Sequence, residues 1–335
     1  MTSLEGLISP DVSDGGPLMA PDLICNYIDD FTNEAPYSDN SGYCTLHEIA
    51  WKNKDRSALF EDVVGSYKSL KIFVKFTDGF QERLLVTPEY KVALSDAKLW
   101  FDGQEVPKTT FTQQDSYWMP TKDEDEGEDQ QMASDDEDQQ MDSDDKRESR
   151  HMGTDDGPDW PTSSEAQGAF IVCGIPGIGK SSFLYYVLVE RLLANLPTCF
   201  QTEPDVFTYW CDKGVFRCKL ERTETGFLIP SRVWFLVDSN KKIEEPDTKI
   251  LNTHARVIQA ASPRKNRLDW TRKRSIFTYI WYMKPSPLSE LLIMKQFWPR
   301  KPSDEQVTKF VANYGPSARL IAGFAHATDE YGEQL

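Results

Sequence analysis

The chain has 335 residues, 39% of them apolar, which can supply a core to each of two modest domains and excludes a protein disordered throughout. Its formal charge of −17 argues against a wholly basic, nucleic-acid-coating surface, yet residues 121–150 alone hold fourteen acids and four bases, a net of −10, leaving −7 for everything else. Six cysteines, at 25, 44, 173, 199, 211 and 218, form no CxxC pair and no spaced Cys/His set, which speaks against zinc or a redox motif and for a reducing compartment.

The opening residues, MTSLEGLISPDVSDGG, lack a basic start followed by an apolar core, so no classical signal peptide is expected. No stretch reaches the ~18 apolar residues of a membrane helix, so the expectation is no membrane partner and an intracellular location, cytoplasmic or nuclear. Residues 1–40 read as loop with one short helix near LICNYIDDF. From residue 67 the pattern sharpens: KIFVKF alternates Ile72, Val74 and Phe76 against Lys71 and Lys75, TDGF supplies a tight turn, and QERLLV follows, predicting a β-hairpin. A second Asp-Gly turn, at 102–103, follows KLWF. These features predict a small α+β or β-rich N-terminal module within residues 1–120.

Asp78 with Glu89-Tyr90-Lys91 has the order of acids and lysine found in metal-dependent nucleases, but Pro88 interrupts the strand such a site needs, and a turn explains Asp78 more simply. Residues 121–165 have little to bury and repel themselves, and they are expected to be a disordered acidic linker. The alternative is an acidic tail for a basic partner, with Ser134 in SDDE as a phosphorylation site.

The third segment, 166–335, carries the chemistry. AFIVC, a continuous apolar run, is followed by GIPGIGKSS and then by SSFLYYVLVERLLAN, whose Phe183, Leu184, Val187, Leu188, Arg191 and Leu192 fall at helical spacing. Strand, glycine loop and helix in that order fit G-x-x-x-x-G-K-[ST] at Gly174, Gly179, Lys180 and Ser181. Glycines let the backbone N–H groups of Gly174, Ile175, Pro176, Gly177, Ile178 and Gly179, apart from the imino proline, wrap a diphosphate up to Lys180, Ser181 and Ser182. Lys180 would bridge the β- and γ-phosphates, and Ser181 would complete a Mg²⁺ shell. The helix N-terminus adds partial positive charge.

A magnesium site of this kind needs an acid on a parallel strand, and VWFLVDS, residues 233–239, places Asp238 at a strand's C-terminal end. Between them lies the insertion EPDVFTYWCDKGVFRCKL, in which Cys211 and Cys218 either face each other across a hairpin or remain separate thiols. Ser239 stands where many such ATPases have a water-orienting glutamate, and Glu244 and Glu245 sit in a polar loop that nothing in the spacing brings back. Water would then have to be oriented by a partner, or by Arg264, Arg267 or Arg319 of a neighbouring subunit. A further strand, RVIQAAS, ends at Ser262, a polar tip suited to the γ-phosphate, and PRKNRLDWTRKR follows. The basic residues around Trp270 between 264 and 274 leave two readings open, contact with nucleotide phosphates or a nucleic-acid backbone, or a solvated amphipathic helix. SIFTYIWYM predicts a fourth strand, and KPSPLSELLIMKQFW turns into a helix.

GIPGIGKSSFLYYVL, WFLVDS, AASPRKNR, YMKPSPLSELL and YGPSARLI (314–321) resemble, in order, the P-loop domain shared by fungal and oomycete Crinkler-type proteins and the retrotransposon hot spot proteins of trypanosomes, over residues 168–325. The resemblance implies an AAA+/STAND-like P-loop NTPase, α/β with a parallel sheet and helices on both faces, often joined to a nuclease-like or kinase-like effector domain and entering a nucleus, including that of a host after secretion. It also implies that Ser262 is a sensor-one residue and that Arg319 is the arginine of a sensor-two lid. With the sequence ending at Leu335, no C-terminal effector domain is expected, and residues 1–120 have only a faint likeness to the ubiquitin-like header of some Crinklers. The expected ligands are ATP and Mg²⁺, and the expected function is slow hydrolysis or a nucleotide switch, with a protein partner or self-assembly left open. A P-loop kinase and a non-hydrolysing scaffold are the alternatives.

Overall fold

A computed structural model describes residues 37, 41–75, 82–107, 168–220, 229, 232–273 and 277–327. The helix expected near 23–31, the Asp78-Gly79 turn, Arg274 and the acidic run 121–150 lie outside the described residues.

The N-terminal part begins with α1 (Gly42–His47), which runs into a π-helical turn, Glu48–Lys52, followed by α2 (Arg56–Leu59). Strands β1 (Phe60–Asp62), β2 (Lys68–Lys71) and β3 (Arg83–Val86) form an antiparallel sheet in that order. The expected hairpin exists, but its first strand ends where KIFVKF was expected to begin. After Ile72 N–H donates to Glu82 O at 2.9 Å, Phe73 N–H turns to the Tyr185 hydroxyl at 3.1 Å and Val74 is buried. The chain leaves the ladder to pack on a helix of the larger sheet.

Residues Pro88–Phe101 form a helix, α3, where the sequence suggested turn and strand. Thr87 accepts from Tyr90 N–H as N-cap, Pro88 occupies the first turn without a donor to lose, and Glu89 suits the positive end of the helix dipole. Tyr90, Ala93, Leu94, Ala97 and Phe101 are buried at three- and four-residue spacing. The Asp102-Gly103 pair read as a turn is this helix's stop: Gly103, at φ 68°, donates to Trp100 O.

The larger sheet is mixed α/β architecture built around buried apolar strands. It comprises β4 (Ala169–Cys173), β5 (Thr198–Glu203), β6 (Val206–Cys211), β7 (Gly214–Lys219), β8 (Trp234–Asp238), β9 (Arg256–Ala261) and β10 (Thr278–Tyr282). Their spatial order is β10-β4-β9-β8-β5-β6-β7. The first five in that order are parallel, and the insertion supplies β6 and β7 as an antiparallel extension. Cys211 pairs with Gly214 and Cys218 with Phe207, so the two cysteines are not cross-strand partners, and both are buried free thiols.

Helix α4 (Lys180–Leu193) and α3 cover one face. There the Phe101 ring lies 4.9 Å from that of Trp234, and the buried Arg191 guanidinium stacks 4.6 Å over Trp234. Arg191 also donates to Thr198 Oγ1 and to the carbonyls of Pro197 and Arg232, so its burial is matched by hydrogen bonds. On the opposite face, α5 (Thr248–Leu251) and α6 (Lys265–Lys273) bring Ile250, Leu251 and Trp270 onto Ile171, Phe235, Val237 and Val257. Helices α7 (Leu288–Met294), α8 (Asp304–Tyr314) and α9 (Ala318–Phe324) form a separate cluster around Leu291, Trp298, Val307, Phe310 and Ile321. Among the described residues no helix is long and apolar enough to cross a membrane.

The described N-terminal residues belong to the same compact unit as the large sheet, and all described residues fall in that unit. Arg56 grips the buried Glu190 of α4 through two bonds of 2.9 and 2.8 Å, Asn195 Nδ2 donates to Trp51 O, His47 Nε2 donates to Cys211 O at 2.6 Å, and Trp281 Nε1 donates to Asp96 at 2.9 Å. Residues upstream of 107 thus cover a face of the sheet that begins near 166. Expressed alone, residues 161–335 are expected to aggregate or to melt well below the full chain. Full-length protein cut at a protease site inserted between 108 and 160 should elute from gel filtration as a single two-fragment species. A folded, monomeric 161–335 fragment released by the cut would contradict this. Arg56→Ala, which removes both guanidinium bonds to the buried Glu190 carboxylate, is expected to cost about 1–3 kcal/mol in denaturant unfolding.

Candidate functional site: the glycine loop at the C-terminal edge of the sheet

The loop 174–179 leaves β4 and delivers the chain to Lys180, the first residue of α4. Gly177 (φ 84°) and Gly179 (φ 107°) hold the left-handed backbone that side chains rarely tolerate. Space is as restrictive as torsion. A Cβ on Gly177 would meet Ser317 Oγ and stand 2.9 Å from Arg319 Cβ, and one on Gly179 would strike the Tyr90 hydroxyl. Ile178 is buried and anchors the loop.

Lys180 folds back, its Nζ donating to Gly174 O at 2.6 Å and Ile175 O at 2.7 Å. Burial pulls its pKa down to about 8, with Arg319 and Arg267 pushing the same way and Asp238 opposing. Ser181 Oγ donates to Asp238 Oδ1 at 2.9 Å, joining α4 to the end of β8. Asp238 is 4% exposed, and desolvation raises its carboxyl from 3.8 to about 6 against the bond from Ser181 and the charges of Lys180, Arg319 and Arg267.

Ser262, at the tip of β9, is drawn into the same cluster by a residue the sequence assigned elsewhere. Arg267 Nη1 donates to Ser262 Oγ at 2.8 Å and to Ser239 O at 3.3 Å, bridging the ends of β9 and β8. An arginine expected to act from a neighbouring subunit therefore stands at this chain's own site. Ser239 is committed on the opposite side: its hydroxyl accepts from Gln259 Nε2 at 2.7 Å and reaches Glu244 O at 3.5 Å, while the Glu244 side chain is exposed. Trp270 is 1% exposed and donates to Gln259 Oε1, so it belongs to the core and is not free to stack on a base.

The helical cluster meets the loop directly. Arg319 N–H donates to Gly177 O at 3.2 Å, and Ser317 Oγ donates to Pro176 O at 3.2 Å. The Arg319 side chain is exposed, yet its charge acts on both Lys180 and Asp238. From the N-terminal part, Tyr90 OH donates to Gly179 O at 3.0 Å. Glu89-Tyr90-Lys91 is thus the first turn of α3, and the strand of the nuclease-like arrangement does not exist.

Lys180, Arg267 and Arg319 surround one carboxylate, so the site carries an excess of positive charge suited to an anion. The Ser181 hydroxyl and Asp238 carboxylate are hard oxygen donors of the kind Mg²⁺ takes. Among the described residues no group of three His, Cys, Asp or Glu could cage a metal. The Ser182 side chain hydrogen-bonds the Tyr90 phenol. Neither a protein-family model nor a curated protein matches the chain.

Because Asp238 keeps its proton up to about pH 6 when folded but loses it near 3.8 when unfolded, its contribution favours folding below pH 4 and is lost as pH rises from about 4 to about 6. Asp238→Asn, which retains an acceptor for Ser181, is expected to raise unfolding free energy at pH 7 by on the order of 1–3 kcal/mol, the gain vanishing near pH 4. Equal or lower stability of the variant at pH 7 would show that the carboxylate is already compensated.

Proposed function

We propose that the chain is a Mg²⁺-dependent nucleoside-triphosphate-binding protein of the P-loop type, with ATP as its nucleotide and slow turnover. The observation that carries this reading is the 2.9 Å bond between Ser181 Oγ and Asp238 Oδ1 at the mouth of a glycine loop. Hydroxyl and carboxylate meet where a magnesium ion accompanying a triphosphate would take one ligand and hold a water through the other. The loop also lies where an open sheet binds ligands: β5, β8 and β9 stand on one side of β4 and β10 on the other, so the crossovers leaving β4 and its neighbour β9 run in opposite directions.

In this reading the loop N–H groups and the start of α4 bind the phosphates. Lys180 exchanges its two carbonyl acceptors for phosphate oxygens. Ser262 and Arg319 keep the sensor roles that the resemblance to Crinkler-type and retrotransposon hot spot proteins implies, and the AAA+/STAND-like assignment belongs to the same proposal. Ser239 favours a second reading, a switch that binds without hydrolysing. Its hydroxyl is occupied by Gln259 and Glu244, and no carboxylate follows Asp238 to orient water.

Lys180→Ala is expected to weaken MgATP binding by tenfold or more in titration calorimetry, a loss of about 1.4 kcal/mol. Phosphate release by the isolated protein should stay below ~1 s⁻¹, the lower end of common enzyme turnover. Unchanged affinity in a folded Lys180→Ala protein would overturn the nucleotide site. Turnover of several per second in dilute wild type would show that a water-activating group is present in cis.

A further inference from the structure

The site's loop is held by an element that comes from the other end of the chain. The peptide joining Gly179 to Lys180 is planar, so fixing its carbonyl fixes the direction of the Lys180 N–H. That carbonyl accepts twice, from Phe183 N–H at 2.9 Å within α4 and from the Tyr90 hydroxyl at 3.0 Å. The N–H on the opposite edge of the same peptide is one of the helix's unsatisfied donors and points out of its N-terminus. A donor on the carbonyl also polarises that N–H toward an acceptor.

Tyr90 is itself held by packing near Phe183 and Tyr186, with ring centroids 6.0 and 6.2 Å away, and is 4% exposed. Its neighbour Glu89 secures the other end of the loop. Glu89 Oε1 accepts from Lys284 N–H at 2.7 Å, and the adjoining Met283 N–H donates to Cys173 O, the last residue before Gly174, at 2.8 Å. The first turn of α3 therefore grips the glycine loop at its entry and at its exit.

We propose that Tyr90, supported by Glu89, is a positioning residue for phosphate binding: its hydroxyl orients the Gly179–Lys180 peptide so that the Lys180 N–H meets the phosphate. The inference rests on the reading of the loop as a nucleotide site. It assigns the N-terminal segment a part in that site.

Tyr90→Phe removes the hydroxyl and keeps the ring. In the full-length chain it is expected to weaken MgATP and MgADP alike by about fivefold to tenfold, because the positioned peptide serves a phosphate common to both. Melting temperature should move little, and amide exchange in the peptide covering 174–183 of the nucleotide-free protein should quicken. Where turnover is measurable, KM should rise with kcat nearly unchanged. Glu89→Gln, which keeps an acceptor for Lys284 N–H, should bind more tightly than Glu89→Ala. Wild-type affinity in Tyr90→Phe overturns the proposal, as does a loss seen only together with a large fall in melting temperature and exchange quickened throughout. If wild type binds neither nucleotide, both readings fall. If wild type binds and Tyr90→Phe binds equally, only this one does.

Discussion

The bond between Ser181 and Asp238 is the constraint around which the site is arranged. It links the first turn of α4 to the tip of β8, although β9 lies between β8 and the strand from which the loop departs. That reach is only available if β4, β9 and β8 hold one register, with Cys173 opposite Ala261 and Asp238 opposite Ala260. Small residues on β9 at those positions leave the space above the sheet edge open, so that a hydroxyl and a carboxylate can meet across it. The cost is a buried carboxylate whose proton is held to about pH 6, and the cations of Lys180, Arg267 and Arg319 only partly offset it. A cluster so unbalanced suits an anion better than it stabilises the fold.

The same sheet explains where the N-terminal segment packs. β8 presents Trp234 and β9 presents Arg256 toward the face that α4 covers only in part. Phe101 of α3 completes that cover, packed against Trp234 and lying 5.6 Å beneath the Arg256 guanidinium. Once α3 is fixed there by packing, its first turn falls beside the glycine loop, and Tyr90 and Glu89 reach it without further arrangement. Core packing and site geometry are thus coupled through one helix: what α3 buries at its C-terminal end decides where its N-terminal end stands.

Much of this was legible in the sequence, and the boundary of legibility is physical. AFIVC, WFLVD and RVIQAA are buried on both faces, so they read as unbroken apolar runs, and their sites stand at strand ends as parallel sheets require. The glycine loop was equally plain because its torsions admit few residues. Helix α3 was missed although Thr87, Pro88 and Glu89 form an N-terminal signature and Tyr90, Leu94, Ala97 and Phe101 share a stripe. Pro88 can break a strand as well as open a helix, and Asp102-Gly103 can be a turn as well as a helix stop. Local signals of that kind serve either element, and the three-dimensional partner decides between them. Tyr90 on Gly179 and Arg267 on Ser239 had no local signal, since each contact depends on how distant elements are stacked.

Arg267 also changes how the missing glutamate is understood. Sequence alone suggests that a partner, or an arginine of a neighbouring subunit, would have to orient water, because the residue after Asp238 is a serine. In the fold that serine's hydroxyl is turned to the opposite face, between Gln259 and the Glu244 carbonyl, and its own carbonyl accepts from Arg267. The position is therefore closed to a water-activating role by hydrogen bonding as well as by side-chain chemistry. Gln259 is itself fixed by Trp270, whose burial anchors the helix that carries Arg267. On the proposed reading, the chain has positive charge in cis for a developing phosphate and lacks a base to deliver water. That combination favours tight holding of a triphosphate over its rapid hydrolysis.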